Sequence, residues 1–299
     1  MSNSQNPNHG VLLPELVGGE NVFELNERQK KGVFGGGGPY RAAPLDKSVA
    51  VHEKASACES LVDVYPEAIS IGGILGSSDD RLHMAFAAWM SIPATLMGYS
   101  FVWMFGFKYL VTWLISLPAS IFLTVGCIYF FRFAYFTPKD APVIFNRSTK
   151  EVTFSQLEFA KYWEFWKIPK FKPPVTVDWS SVHARSYKFT QYMGSTIRDS
   201  YRLEIWAPDP GDARKLLVRE PIGYLASYGD EDLWSLYEHI RRYMEEGGPP
   251  IQKGETLRKS GRGTDASPFP DYVLQTLGGP PFAAEQVEAL AQEESPDRN

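Results

Sequence analysis

The densest run of chemically capable side chains lies between residues 155 and 174, SQLEFAKYWEFWKIPKFKPP. Tyr162, Trp163, Phe165, Trp166, Ile168 and Phe171 alternate there with Lys161, Lys167, Lys170 and Lys172. Ammonium groups beside amphipathic rings suit an anionic membrane surface. Each basic residue contributes about 1 kcal/mol near such a surface, and the rings settle at the headgroup level. The membrane-contact set expected from the sequence is Trp163, Trp166, Lys167, Lys170 and Lys172. Alternatively, the rings fill or cap a β-barrel and the lysines are simply solvated. Stacking on nucleic-acid bases would use the same residue types. The chain's net charge of -5 argues against the basic field such binding requires, so no nucleic acid is expected as a partner.

Arg185, Tyr187, Arg198 and Arg202 form a second polar set on two strand-like segments. Two interpretations stand: a partner-binding face, or the solvent side of a half-buried sheet. The remaining reactive residue types do not assemble into chemistry. His9, His52, His83, His183 and His239 show no HxxxH or HxH spacing, and Cys58 and Cys127 form neither a CxxC pair nor a disulfide framework. The carboxylate pairs Asp79–Asp80 and Glu245–Glu246 stand at element ends, where solvated charge is the ordinary outcome. The glycines of GVFGGGGPY (32–40) precede no Lys-Ser/Thr pair and follow no strand-like run, so they read as a linker rather than a phosphate loop. GxSxG, HExxH, Walker A and kinase signatures are absent. No catalytic, cofactor-binding or metal-ligating residue is assigned, and the expectation is a non-enzymatic protein with no cofactor.

The elements that must position these residues begin with two uncharged runs. Residues 84–107 read MAFAAWMSIPATLMGYSFVWMFGF, and residues 109–131 read YLVTWLISLPASIFLTVGCIYFF. Each would extend roughly 35 Å as a helix, enough for a hydrocarbon core of about 30 Å with some tilt. Only Lys108 separates them, which forces an antiparallel hairpin. Trp103, Tyr109 and Trp113 cluster at the turn, Tyr129 and Tyr135 at the open end, where rings favour the headgroup zone. Pro93 and Pro118 sit inside the runs, as membrane helices tolerate. Arg81, Arg132, Lys139, Arg147 and Lys150 flank the open ends. The positive-inside rule therefore places both termini in the cytoplasm of a multi-pass protein. The N-terminus shows no charged n-region before an apolar h-region, so no cleavable signal is expected. Residues 81–136 form the hairpin unit.

Residues 1–80 lack a sustained period and read as mostly flexible, with 61–75 a short strand or an interfacial segment. From 137 to 247 the period changes to two. APVIFNRSTKEVTFS (141–155) reads as a β-hairpin, with Val143 and Phe145 facing Val152 and Phe154. VTVDWSSVHARSYKF (175–189) reads as a long strand whose phase slips at Ser180–Ser181, the mark of a bulge. YRLEIWA (201–207) and KLLVRE (215–220) flank turn chemistry at 208–212. A helix over 230–246 follows, with Asp230 as cap, a stripe of Leu233, Leu236, Tyr237, Ile240 and Met244, and Gly247 as its stop. Residues 248–299 read as a flexible tail carrying a short helix at 281–294, PFAAEQVEALAQEE.

The fold class is therefore a membrane α-helical hairpin plus an α+β soluble domain, an antiparallel β-barrel or sandwich closed by one C-terminal helix. With Pro-Val-Ile-Phe-Asn-Arg directly after the hairpin and Val-Asp-Trp at the middle strand, residues 80–247 resemble uncharacterised bacterial two-helix inner-membrane proteins with a pleckstrin-homology-like C-terminal domain. Such proteins are encoded near type VI secretion toxins. The resemblance implies the bacterial inner (cytoplasmic) membrane as location, and an immunity or adaptor role. The partners would then be the lipid bilayer and a protein, either a toxin or a secretion component. A lipid-sensing or scaffold module is one alternative. A small homo-oligomeric channel or transporter subunit is another, although the uncharged helix interiors offer no ion path.

Overall fold

The computed structural model describes residues 23–25, 39–77, 80–106, 109–158, 164, 166–192, 197–227, 229–259, 261, 263–265 and 267–292. Trp163, Lys161 and Lys108 lie outside the described residues. Two open antiparallel sheets and a helical hairpin make an α+β layout.

The five-stranded sheet runs β2 (Leu61–Val64), β3 (Ala68–Ile71), β4 (Val143–Asn146), β5 (Glu151–Phe154), β8 (Val175–Asp178). The β4–β5 turn closes on Asn146, whose Oδ1 accepts from the Ser148 amide at 3.0 Å, and Lys150 takes a positive φ of 57°. Val143 and Phe145 face the main core beside Val152 and Phe154. Ile144 faces the other way, against Ala68, Tyr65, Phe269, Val273 and Leu277. The uninterrupted apolar run Val143–Phe145 is thus the signature of a strand covered on both faces. Its second cover comes from α5 (Asp271–Gln275) and the chain around it. The segment after 247 is therefore not simply a flexible tail: Ile251, Val287 and Ala291 are also buried, the last two on α6 (Ala284–Gln292).

The four-stranded sheet runs β1 (Arg41–Ala42), β9 (His183–Tyr192), β10 (Ile197–Asp209), β11 (Asp212–Ser227). Between β8 and β9 the expected bulge is instead a 3-10 turn, Trp179–Ser181, in which the Asp178 side chain accepts from the Ser180 amide. The phase slip marks the corner where the chain leaves one sheet for the other. The expected turn at 208–212 narrows to Pro210–Gly211, with β10 extending through Asp209. Gly223 takes φ +76°, its amide donates to the Gly72 carbonyl at 2.8 Å, and a Cβ there would stand 2.7 Å from Leu236. Only glycine meets both conditions without strain.

The closing helix, α4 (Glu231–Arg241), continues as a π turn, Arg242–Glu246, and stops at Gly247 in the left-handed region, φ +66°. Its expected stripe is buried, but so are Trp234, Glu238, His239 and Arg241 behind it. The cover comes from residues before the hairpin. The Val51 amide donates to Glu238 at 3.0 Å, the Ser56 amide to the Ser235 carbonyl at 3.1 Å, and Arg241 Nη1 to the Lys47 carbonyl at 3.1 Å. Residues 39–77 therefore belong to the folded domain and correct the expectation of a mostly flexible segment. Asp230 does not cap the helix with its side chain. It is drawn into the sheet instead, accepting from Ser186 Oγ and Trp234 Nε1, both at 2.7 Å, and pairing with Arg41 at 3.1 Å.

After a short α1 (Ile74–Ser77), the apolar runs form α2 (Asp80–Phe101) and α3 (Leu110–Phe131), each extended by a π turn, Val102–Gly106 and Arg132–Phe136. Two 24-residue stretches, Leu82–Phe105 and Trp113–Phe136, are long and apolar enough to cross a membrane, and little of either is buried. Helices at the core of a soluble domain would hide these side chains, whereas Phe86, Met97, Trp103 and Phe122 stand exposed. The pair packs closely at Gly98, where an added Cβ would stand 2.7 Å from Ser120 Oγ.

Candidate membrane-facing site

The aromatic–lysine segment forms a two-stranded arm. β6 (Leu157–Glu158) pairs with β7 (Lys170–Phe171), matching Leu157 to Phe171 and Glu158 to Lys170. The arm branches from the chain between β5 and β8, and its two strands pair with each other. It returns toward the foot of α3, where Arg132 Nη1 donates to the Glu164 carbonyl at 3.0 Å. The Arg132 guanidinium also lies 5.3 Å from the centre of the Tyr129 ring.

Around that contact the side chains are open. Trp166 is 64% exposed and Ile168 51%, with Phe136 exposed at the helix end. Lys167, Lys170 and Lys172 are exposed, and Lys167 forms an ion pair with Glu164 at 2.5 Å. Of the expected contact set, Trp166, Lys167, Lys170 and Lys172 therefore share one arm. Trp166 and Ile168 do not fill a barrel core.

The second expected set has a different fate. Register places Arg202 opposite Tyr187 and Glu204 opposite Arg185, with Arg198 opposite Gln191 farther along. The pleat puts all four residues on the outer face of the four-stranded sheet. Arg185 and Tyr187 are only 3% and 1% exposed, so this is not an open solvent face. Tyr187 stacks on Trp206 at 5.9 Å, and the Arg185 guanidinium lies 4.8 Å from the Trp206 ring. Glu204 accepts from Trp206 Nε1 at 2.7 Å and pairs with Arg202. Phe23 completes the cover, 4.9 Å from Arg185 and edge-on to His183 at 5.1 Å. Burial draws the Arg185 guanidinium and the His183 imidazole down from their usual ranges, the latter to about 4, and pushes the Tyr187 hydroxyl up.

Sequence reasoning missed Glu204, Trp206 and Phe23. For the first two a signal was present: Arg202, Glu204 and Trp206 alternate with Leu203 and Ile205, so both faces of that strand carry large side chains. Nothing local ties Phe23 to a strand about 180 residues away in sequence.

No curated protein and no solved structure matches the chain. One family model does, over residues 120–270, from within α3 through β4 to β11 and the closing helix to the residue before α5, leaving out β1, β2 and β3. The protein thus belongs to a family whose function is unknown, DUF6708.

Proposed function

We propose that this is a non-enzymatic, membrane-tethered module. Its two apolar helices span the bilayer as a hairpin, both soluble ends lie in the cytoplasm, and the arm at 157–172 rests on the anionic lipid surface. The remaining surface of the β-domain is presented to a protein partner. The observation that carries this reading is the bond from Arg132 to the Glu164 carbonyl. It ties the exposed Trp166, Ile168 and lysine side chains to the end of an exposed apolar helix, where a headgroup layer would lie.

Hydrogen–deuterium exchange of the full chain in nanodiscs tests the reading. Anionic lipid should slow exchange across 157–172 relative to zwitterionic lipid, and high salt or Lys167/Lys170/Lys172→Ala should erase the difference. Equal exchange in both lipids would rule the arm contact out.

The order of antiparallel hairpins, a second antiparallel sheet and one closing helix supports a pleckstrin-homology-like domain. The similarity to two-helix inner-membrane proteins encoded near type VI secretion toxins supports a toxin or secretion component as the partner. The protein would then serve in immunity or as an adaptor. Deleting the gene should sensitise cells to toxin-producing kin; unchanged survival in that competition would sink the immunity role.

A further inference from the structure

A cavity of about 890 Å³ opens between β2 and the chain from 258 to 281, beside the start and finish of the hairpin at Gly76 and Lys139. Its size suits a small organic ligand. The chain over it is held by main-chain bonds at both ends of β2, from the Arg258 amide to the Leu61 carbonyl at 2.7 Å and from the Phe282 amide to the Val64 carbonyl at 2.8 Å.

Charge in the lining sorts into neutralised, solvated and uncompensated groups. Arg258 pairs with Asp140 at 2.7 Å and also donates to the Gly73 and Gly223 carbonyls, both at 2.8 Å. Lys139 pairs with Asp265 at 2.5 Å. Lys259 and Asp271 are exposed to water. Asp63 remains: half-buried, its carboxylate has no hydrogen bond or ion pair among the described residues, and burial alone pushes its carboxyl up. Its charge in turn contributes to raising the Tyr65 hydroxyl. Tyr65 and Phe269, both buried, line the same cavity with Leu274 and several prolines.

A lone carboxylate among aromatic and apolar walls suits a cation with an organic body, through Coulomb attraction and the negative faces of the rings. We infer that this cavity is a binding site for an alkylammonium ion, either the ammonium end of a phospholipid headgroup or a free amine, with Asp63 as its counter-ion. The lipid source rests on the membrane reading above; the free-amine source does not.

The full chain, purified in a maltoside detergent without amine headgroups, can be titrated with ethanolamine, choline and tetramethylammonium by calorimetry. It can also be placed in phosphatidylethanolamine and phosphatidylglycerol nanodiscs, with retained lipid read by native mass spectrometry. At least one ammonium probe should bind saturably, and Asp63→Asn should weaken it tenfold or more without lowering the melting temperature. Tyr65→Leu and Phe269→Leu should each weaken it severalfold. Retention of phosphatidylethanolamine over phosphatidylglycerol, lost in Asp63→Asn, assigns the lipid source; binding of soluble amines without that retention assigns the free amine. Absence of saturable binding by every ammonium probe and by lipid, unchanged affinity in Asp63→Asn, or competition by inorganic phosphate alone would overturn the inference. Exchange at 157–172 is read separately, so either proposal can fail without the other.

Discussion

Asp140 and Arg258 join the exit of the helical hairpin to the chain beyond the closing helix: Oδ2 of Asp140 accepts from Arg258 Nη1 at 2.7 Å, with both side chains at 10% exposure or less. Two amides, Gly73 at 2.9 Å and Ala141 at 2.8 Å, complete the carboxylate's shell. Gly72 and Gly76 give the pair room, since a Cβ on either would collide with Asp140 or Arg258.

Removing one member of this pair leaves the other charge buried. Arg258→Met is expected to cost about 3–5 kcal/mol, by the general behaviour of buried pairs. The double variant Asp140→Asn/Arg258→Met should recover part of that loss. Chemical denaturation of the full chain in detergent reads both. A double variant less stable than Arg258→Met would show that the pair is not the cause.

Glu220 gives a pH dependence of defined sign. Burial pushes its carboxyl up to about 7, with Glu204 adding to the rise and Gln156 and Lys172 opposing it. The folded state therefore binds this proton more tightly than the unfolded chain. Its contribution is most favourable below about 4.5 and is lost as pH rises to about 7. Glu220→Gln should flatten the stability profile between those limits and be more stable than the parent at pH 8. Parallel melting profiles for the two proteins would reject the assignment.

Trp179 anchors the corner between the sheets to the closing helix. Its indole N–H donates to Glu245 at 2.6 Å, Phe145 meets it edge-on at 6.0 Å, and the Lys47 ammonium sits 4.7 Å from the ring centre. Trp179→Phe keeps a ring but loses a bond to a charged acceptor, at about 1.5–3 kcal/mol. Trp179→Ala should lose about 3–5 kcal/mol. Thermal melts should rank the two in that order; equal losses would mean that packing contributes little beyond the hydrogen bond.

Gly98 sets the approach of α2 and α3. Gly98→Ala places a methyl group against the Ser120 hydroxyl, which can rotate, so the expected drop in melting temperature is small. Gly98→Leu must push the helices apart and should melt well below Gly98→Ala. Ser120→Ala in the Leu background should restore only part of the loss, because the α3 backbone is also near. If Gly98→Leu melts with the parent, the close approach is not maintained in solution.

The helical hairpin, the β4–β5 hairpin and the closing helix were legible along the chain because local period and end signals define them. Uncharged runs of a little over twenty residues, Val143 and Phe145 against Val152 and Phe154, and Gly247 after a helical stripe each need only near neighbours. The aromatic–lysine segment was legible as composition, but its position at the foot of α3 was not, since the Arg132–Glu164 bond crosses a sheet-forming stretch.

The partners across long separations came only with the tertiary structure. Asp230 reads as a cap, yet Arg41, Ser186 and Trp234 hold its carboxylate in the interior, where an ion pair offsets desolvation better than a free amide at the helix end. Arg185 and Tyr187 read as either a partner-binding face or a solvent face, yet Phe23 and Trp206 cover them. The described residues of 39–77 and 250–292 read from the sequence as parts of a mostly flexible segment and of a flexible tail with one short helix, because neither stretch shows a sustained period. They order by burying the second face of elements whose first face makes the core. Local periodicity reports which face of a strand or helix is apolar. Which distant segment will cover the opposite face depends on contacts whose free energy exists only once the chain has folded back on itself.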